Sequence, residues 1–149
     1  MTPEEMKQRT KTFGLRVIRL VAALPKERAS DVLGRQLLKA GTSVGANYRA
    51  ACRSRSDADF LARMGIVEEE VDESVYWIEM LAEAGLVPGN RLANLKQEGE
   101  QIRAIVVASI RTVKARIRPS RPRQSEIRNP KSEMGSRRVE IHSPKTAFG

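Results

Sequence analysis

The sequence predicts an all-α protein, an antiparallel up-down four-helix bundle (residues 1–118) followed by a disordered basic C-terminal tail (119–149). Three observations carry that prediction. Apolar residues recur at alternating spacings of three and four in four successive segments, the period of one face of a helix. The joints between those segments are short, which forces neighbours to run antiparallel. Aromatic residues make up only 4% of the chain, and the abundant Leu, Ala, Arg and Glu favour helix over sheet.

The first helix is expected at about 3–24. Thr2 stands at N-cap, Pro3 at the first helical position and Glu5 three residues after the cap, so side chain and backbone can satisfy each other's orphan groups. Met6, Thr10, Phe13, Val17, Leu20 and Leu24 then form an apolar stripe, interrupted only by Thr10, until Pro25 stops it. A second stripe, Leu33, Leu37, Ala40, Val44, Asn47 and Ala51, places helix two at about 27–53. Beside it runs the row Gly34, Leu38, Gly41, Gly45, Tyr48, Cys52. Each glycine inside a helix costs about 1 kcal/mol relative to alanine, so close approach of another helix is expected to offset it.

Ser56 caps the third helix, about 57–84, with Asp57 and Asp59 in its first turn. Its stripe is Phe60, Met64, Val67, Val71, Val75, Ile78 and Leu81, and Gly85 ends it. Pro88-Gly89-Asn90 is a turn or cap. Leu92, Leu95, Gly99, Ile102, Val106, Ile110, Val113 and Ile117 are the fourth stripe, closed by Pro119. Beyond it, residues 119–149 hold seven Lys or Arg, three Glu, several Pro and Ser and no apolar period. Such a segment buries too little apolar surface to offset its ordering entropy.

Composition narrows the function. Lys and Arg number 27 against 18 Asp and Glu, a net charge of +9, enough to draw polyanions from a distance. The lone Cys52 excludes a disulfide-stapled fold and suits a reducing cytoplasm. Neither a signal-peptide pattern nor an apolar run approaching the roughly 20 residues of a membrane span is present, so a cytoplasmic protein is expected.

At the junction of helices two and three, the string Gln36-Leu-Leu-Lys-Ala-Gly-Thr-Ser-Val-Gly-Ala-Asn47, then Arg53-Ser-Arg-Ser-Asp57, Asp59-Phe60-Leu61 and Glu69-Glu70 to Trp77, resembles a known family. These are the bacterial four-helix bundle proteins encoded within intervening sequences of 23S rRNA genes, loosely related to the accessory variability determinant of diversity-generating retroelements. The resemblance spans about residues 6–117 and is most specific over Thr42-Ser-Val-Gly-Ala-Asn47. It implies an up-down protomer assembled as a homopentameric ring, cytoplasmic, with no known catalytic activity. For the retroelement relatives it further implies a basic surface that engages nucleic acid and a reverse transcriptase.

The residues themselves offer little chemistry. Glu68, Glu69, Glu70, Asp72 and Glu73 invite a metal reading, yet the partnering histidines of a di-iron bundle are missing and the only one, His142, lies in the tail. A solvated or salt-bridged acidic face is the plainer reading, with Arg49, Arg53, Arg55 or a neighbouring protomer opposite. Cys52 has no histidine in the folded region to activate it, and Gly41-Thr42-Ser43-Val44-Gly45 lacks the lysine of a phosphate loop. No catalytic, cofactor-binding or metal residue is therefore assigned, and no enzyme is expected.

Asn47 on an apolar seam is either a buried amide that fixes register or oligomer state, or a polar group for a ligand. Tyr48, Tyr76 and Trp77 fall off the main seams or at their margins, as ordinary packing or as anchors of a subunit interface. We assign Gly34, Gly41, Gly45, Asn47, Tyr48 and Trp77 to packing and oligomer contacts. Arg111, Lys114, Arg116, Arg118, Arg121 and Arg123 put six cations in thirteen residues, more than complementing a helix dipole requires. With no aromatic interleaved for base stacking, that run suits contact with phosphates of RNA or DNA. Two functions stay open: a homo-oligomeric accessory or scaffold that contacts RNA or DNA, and a protein–protein interaction module with no nucleic-acid role.

Overall fold

The computed structural model describes residues 1–117, so the predicted tail, its boundary at 118/119, and Arg118, Arg121 and Arg123 lie outside the described residues. Four helices fill the described chain: α1 (Pro3–Ala22), α2 (Arg28–Ala51), α3 (Asp57–Glu83) and α4 (Gly89–Ile117). The caps do what their residue types dictate. Thr2 Oγ1 accepts from the Glu5 amide at 3.1 Å while Glu5 accepts from the Thr2 amide at 3.0 Å. Ser56 Oγ accepts from the Asp59 amide at 3.0 Å, but Asp59 is too short to reach back and turns to Arg63 instead. At the end of α3, Gly85 takes φ +73 and the Leu86 amide donates to the Leu81 carbonyl, the doubly bonded finish that only a residue tolerant of positive φ allows cheaply. Helix one stops two residues earlier than expected, because the Ala23 and Leu24 amides bond three residues back and tighten the last turn before Pro25.

The four stripes meet in one core. Phe13 and Val17 of α1, Leu37 and Val44 of α2, Met64, Val67, Val71, Ile78 and Leu81 of α3, and Ile102 and Val106 of α4 are wholly buried. Thr10, also wholly buried, avoids an unmet hydroxyl by donating to the Met6 carbonyl at 2.9 Å. Consecutive helices pack side by side, α1 on α2, α2 on α3 and α3 on α4, and α1 touches α4 only thinly.

The α1–α2 pair is close because of the glycine row, whose partner is α1 of the same chain. A Cβ at Gly41 would stand 2.7 Å from Val17 Cγ2, at Gly34 2.9 Å from Leu24 Cδ1, and at Gly45 3.3 Å from the backbone of Thr10. The expected offset for these glycines is thus met within the protomer. Tyr48, offered above as an interface anchor, is 7% exposed and belongs to this core. Asn47 is half-buried and donates to the Ser43 carbonyl at 2.9 Å, so it bridges no helices and fixes no register within the protomer.

The thin α1–α4 seam is strapped by one polar cluster. Arg9 Nε and Nη2 donate to the two carboxylate oxygens of Glu98 at 2.7 and 2.8 Å, and Nη2 also donates to Gln101. Both side chains are less than a quarter exposed, and a bidentate fork of this kind is geometrically demanding. Removing Glu98 leaves a half-buried guanidinium without its carboxylate, held by Gln101 alone. Glu98→Ala is expected to lower unfolding free energy by about 1–3 kcal/mol, read as an earlier urea midpoint.

Candidate nucleic-acid interface

Antiparallel alternation brings the start of α1, the end of α2, the start of α3 and the end of α4 to one end of the bundle. Charge gathers there. Residues 1–11, 49–65 and 105–117 hold ten Lys or Arg against four Asp or Glu, whereas the rest of the described chain holds nine against eleven. Dipoles account for part of it: acids Glu4, Glu5, Asp57 and Asp59 sit at helix N-termini and Lys114 and Arg116 in the last turn of α4. The surplus of cations has no such explanation.

On α4, Arg111 and Lys114 are exposed, and three residues apart they share a flank. Arg116 lies on the opposite flank and reaches Asp57 at 3.4 Å, so it is partly spoken for. A second basic group was not legible as a run. Lys7 and Lys11 of α1 line a groove of about 550 Å³ together with Arg49 and Arg53 of α2. Four cations separated by some forty positions of sequence converge because the glycine row draws α1 against α2, and only the antiparallel register of that row would have revealed it.

The same end opens into a cleft of about 790 Å³ between the start of α1 and the end of α4, floored by Met6, Met64 and Val113 and edged by Arg55, Asp57 and Arg116. Tyr48 and half-buried Cys52 line it. Burial first, and contact with Cys52 second, hold the Tyr48 phenol above its ordinary pKa. The folded state then keeps a proton that the unfolded chain gives up above pH about 10. Stability from the neutral phenol is complete below that pH and declines as pH rises beyond it. Tyr48→Phe should flatten the loss of urea midpoint between pH 9 and pH 11.

Of the acidic run on α3, Asp72 alone forms an ion pair among the described residues. Asp72 meets Arg103 of α4 at 3.7 Å and Glu79 meets Lys96 at 3.0 Å; Arg49, Arg53 and Arg55 make no ion pair with the run among the described residues. Glu70 is the inward-leaning member, its pKa raised by burial and then by Glu73, against the opposing pull of Lys39 on α2. Trp77 is half-buried against the core and its Nε1 donates to Glu73 at 3.2 Å, while Tyr76 stacks edge-on to it and stays half exposed. Among the described residues no three His, Cys, Asp or Glu gather as a metal site, and no helix is long and apolar enough to cross a membrane.

The sequence model of the 23S rRNA-intervening sequence proteins matches residues 4–108. A crystal structure of a protein with unknown function from the S23 ribosomal protein family of Bacteroides thetaiotaomicron is similar in fold, with a TM-score of 0.70 and 28% identity. The similarity covers 74% of this chain and 99% of that one. No curated protein matches the chain. With the four helices in place and the family match running from the first turn of α1 well into α4, the chain belongs to the 23S rRNA-intervening sequence protein family.

Proposed function

We propose that this protein is a non-enzymatic, homo-oligomeric accessory or scaffold that contacts RNA or DNA backbones through the basic end of its bundle. The observation that carries the proposal is the segregation of charge: ten cations to four anions at the end where Arg111 and Lys114 stand, in a described chain that is otherwise slightly acidic. Point charges without stacking aromatics bind phosphates and read little sequence. Support for a non-catalytic role comes from the residues that might have done chemistry. Cys52 contacts Tyr48, and a phenol is protonated at neutral pH with or without burial, so Tyr48 offers that thiol no base. A cytoplasmic ring of five copies and a reverse transcriptase as partner are what the family resemblance adds to this reading.

The test is retention of the purified protein on RNA and on duplex DNA across a salt series. Binding at about 50 mM salt that is indifferent to sequence and gone within a few hundred millimolar is expected. No retention at about 50 mM overturns the nucleic-acid role and leaves the interaction-module reading, which the exposed apolar residues of α3 favour.

A further inference from the structure

The exterior of α3 carries a second stripe that the core does not use. Ile66, Glu69, Glu73, Tyr76 and Met80 follow at spacings of three, four, three and four and so share one face. All are exposed, Tyr76 to 50%, Ile66 to 43% and Met80 to 36%. Glu69 and Glu73 are a like-charge pair one turn apart, which is unfavourable on an isolated helix, and among the described residues neither forms an ion pair. An acidic centre flanked by large apolar side chains is an odd surface to leave in water.

The groove between α1 and α2 has the opposite sign and the same character. Leu15 and Ile18 stand 40% and 44% exposed on its α1 wall, one and two turns beyond Lys11, and the α2 wall presents Thr42, Ala46 and Arg49. Lys11 and Arg49 also lack ion pairs among the described residues. Small side chains along α2 leave the groove shallow enough to admit a helix.

These two faces cannot meet within one chain, because α1 and α3 stand on the diagonal of the bundle with no backbone contact between them. A two-fold pairing of like faces would set acid on acid or base on base. We infer that the α1–α2 groove of one copy receives the α3 exterior of a second copy of this chain, head to tail. Glu69 and Glu73 then lie against Lys11 and Arg49, and Tyr76 and Met80 against Leu15 and Ile18. The inference rests on the homo-oligomeric reading above and names its surfaces. A head-to-tail contact leaves each end copy with one unused face, so it propagates until it closes as a ring.

The experiment uses the full chain, two double variants and light scattering. The wild type is expected at several times 16.6 kDa. Lys11→Glu with Arg49→Glu, and separately Glu69→Lys with Glu73→Lys, should each fall to 16.6 kDa with circular dichroism unchanged. Mixed in equal amounts they should regain a mass well above it, because one chain now offers two acidic faces and the other two basic ones. A wild-type monomer removes the oligomer reading and this inference together. A wild-type oligomer whose double variants keep their full mass, or whose mixture does not reassemble, overturns the face assignment alone. A Lys11→Glu, Arg49→Glu chain that keeps its mass but loses retention on RNA also overturns it, giving the groove to phosphate.

Discussion

Leucine in place of Gly41 is expected to lower the thermal midpoint by roughly 10 °C or more, the largest change in stability of any exchange on the α1–α2 contact. A Cβ there already stands 2.7, 2.9 and 3.1 Å from three carbons of Val17. Val17 is wholly buried and β-branched, so it has no second rotamer to retreat to. The remaining carbons of leucine must then part α1 from α2, and overpacking of this kind costs about 1–3 kcal/mol or more. Two companions separate packing from helix propensity. Gly65→Ala meets nothing within 4 Å and should stabilise by up to about 1 kcal/mol. Gly41→Ala with Val17→Ala should be less damaging than the sum of its parts, because the second change vacates the space the first invades.

Loss of the cationic run should be the largest effect on function. Deleting residues 119–149 removes seven Lys or Arg and three Glu. Each phosphate contact contributes about 0.7–0.9 to the slope of log affinity against log salt, so the slope should flatten by up to about six units if all seven cations contact phosphates. Arg111 and Lys114 remain exposed on α4. Changing them to glutamine, with Arg116 and Arg118, in the shortened chain should weaken the residual binding further while helicity is unchanged, leaving only what Lys7, Lys11, Arg49 and Arg53 of the second basic group supply. Arg116 alone should matter least, since Asp57 already answers its charge at 3.4 Å. Filter binding at several salt concentrations measures all of this, and a slope indifferent to the deletion would remove the tail from the interface.

Most of the fold was legible because each helix announces itself locally. Thr2, Ser56 and Gly85 act within four residues of themselves, and the stripes from Met6 to Val113 report a period that tertiary packing confirmed almost position by position. Where two faces of one helix compete, the sequence is ambiguous. Tyr48 lies one residue off the main seam of α2, yet the crossing with α1 turns that flank inward and buries the ring. Asn47, on the seam, is left at the margin and satisfies itself on its own helix. The candidate interface was half visible. Arg111 and Lys114 adjoin in sequence, whereas Lys7, Lys11, Arg49 and Arg53 become neighbours only through antiparallel pairing. Among the described residues Asp72 of the acidic run pairs with Arg103, a partner that becomes visible only when α4 folds back along α3.

The weak seam between α1 and α4 bears on how the chain reaches this state. Almost every contact joins a helix to its successor, so nearly all closures span a single hairpin. Low contact order of this sort places folding in the microsecond-to-millisecond range. Any of the three hairpins can form first, and each adds the next helix without a long loop to close. Joining α1 to α4 is the sole long-range step; Phe13 faces Gly99 across it, and Arg9 closes it on Glu98 and Gln101, a fork whose geometry is satisfied only once both helices are already rigid. That step therefore behaves as a latch set late: mutations there should accelerate unfolding while leaving the rate of folding nearly untouched.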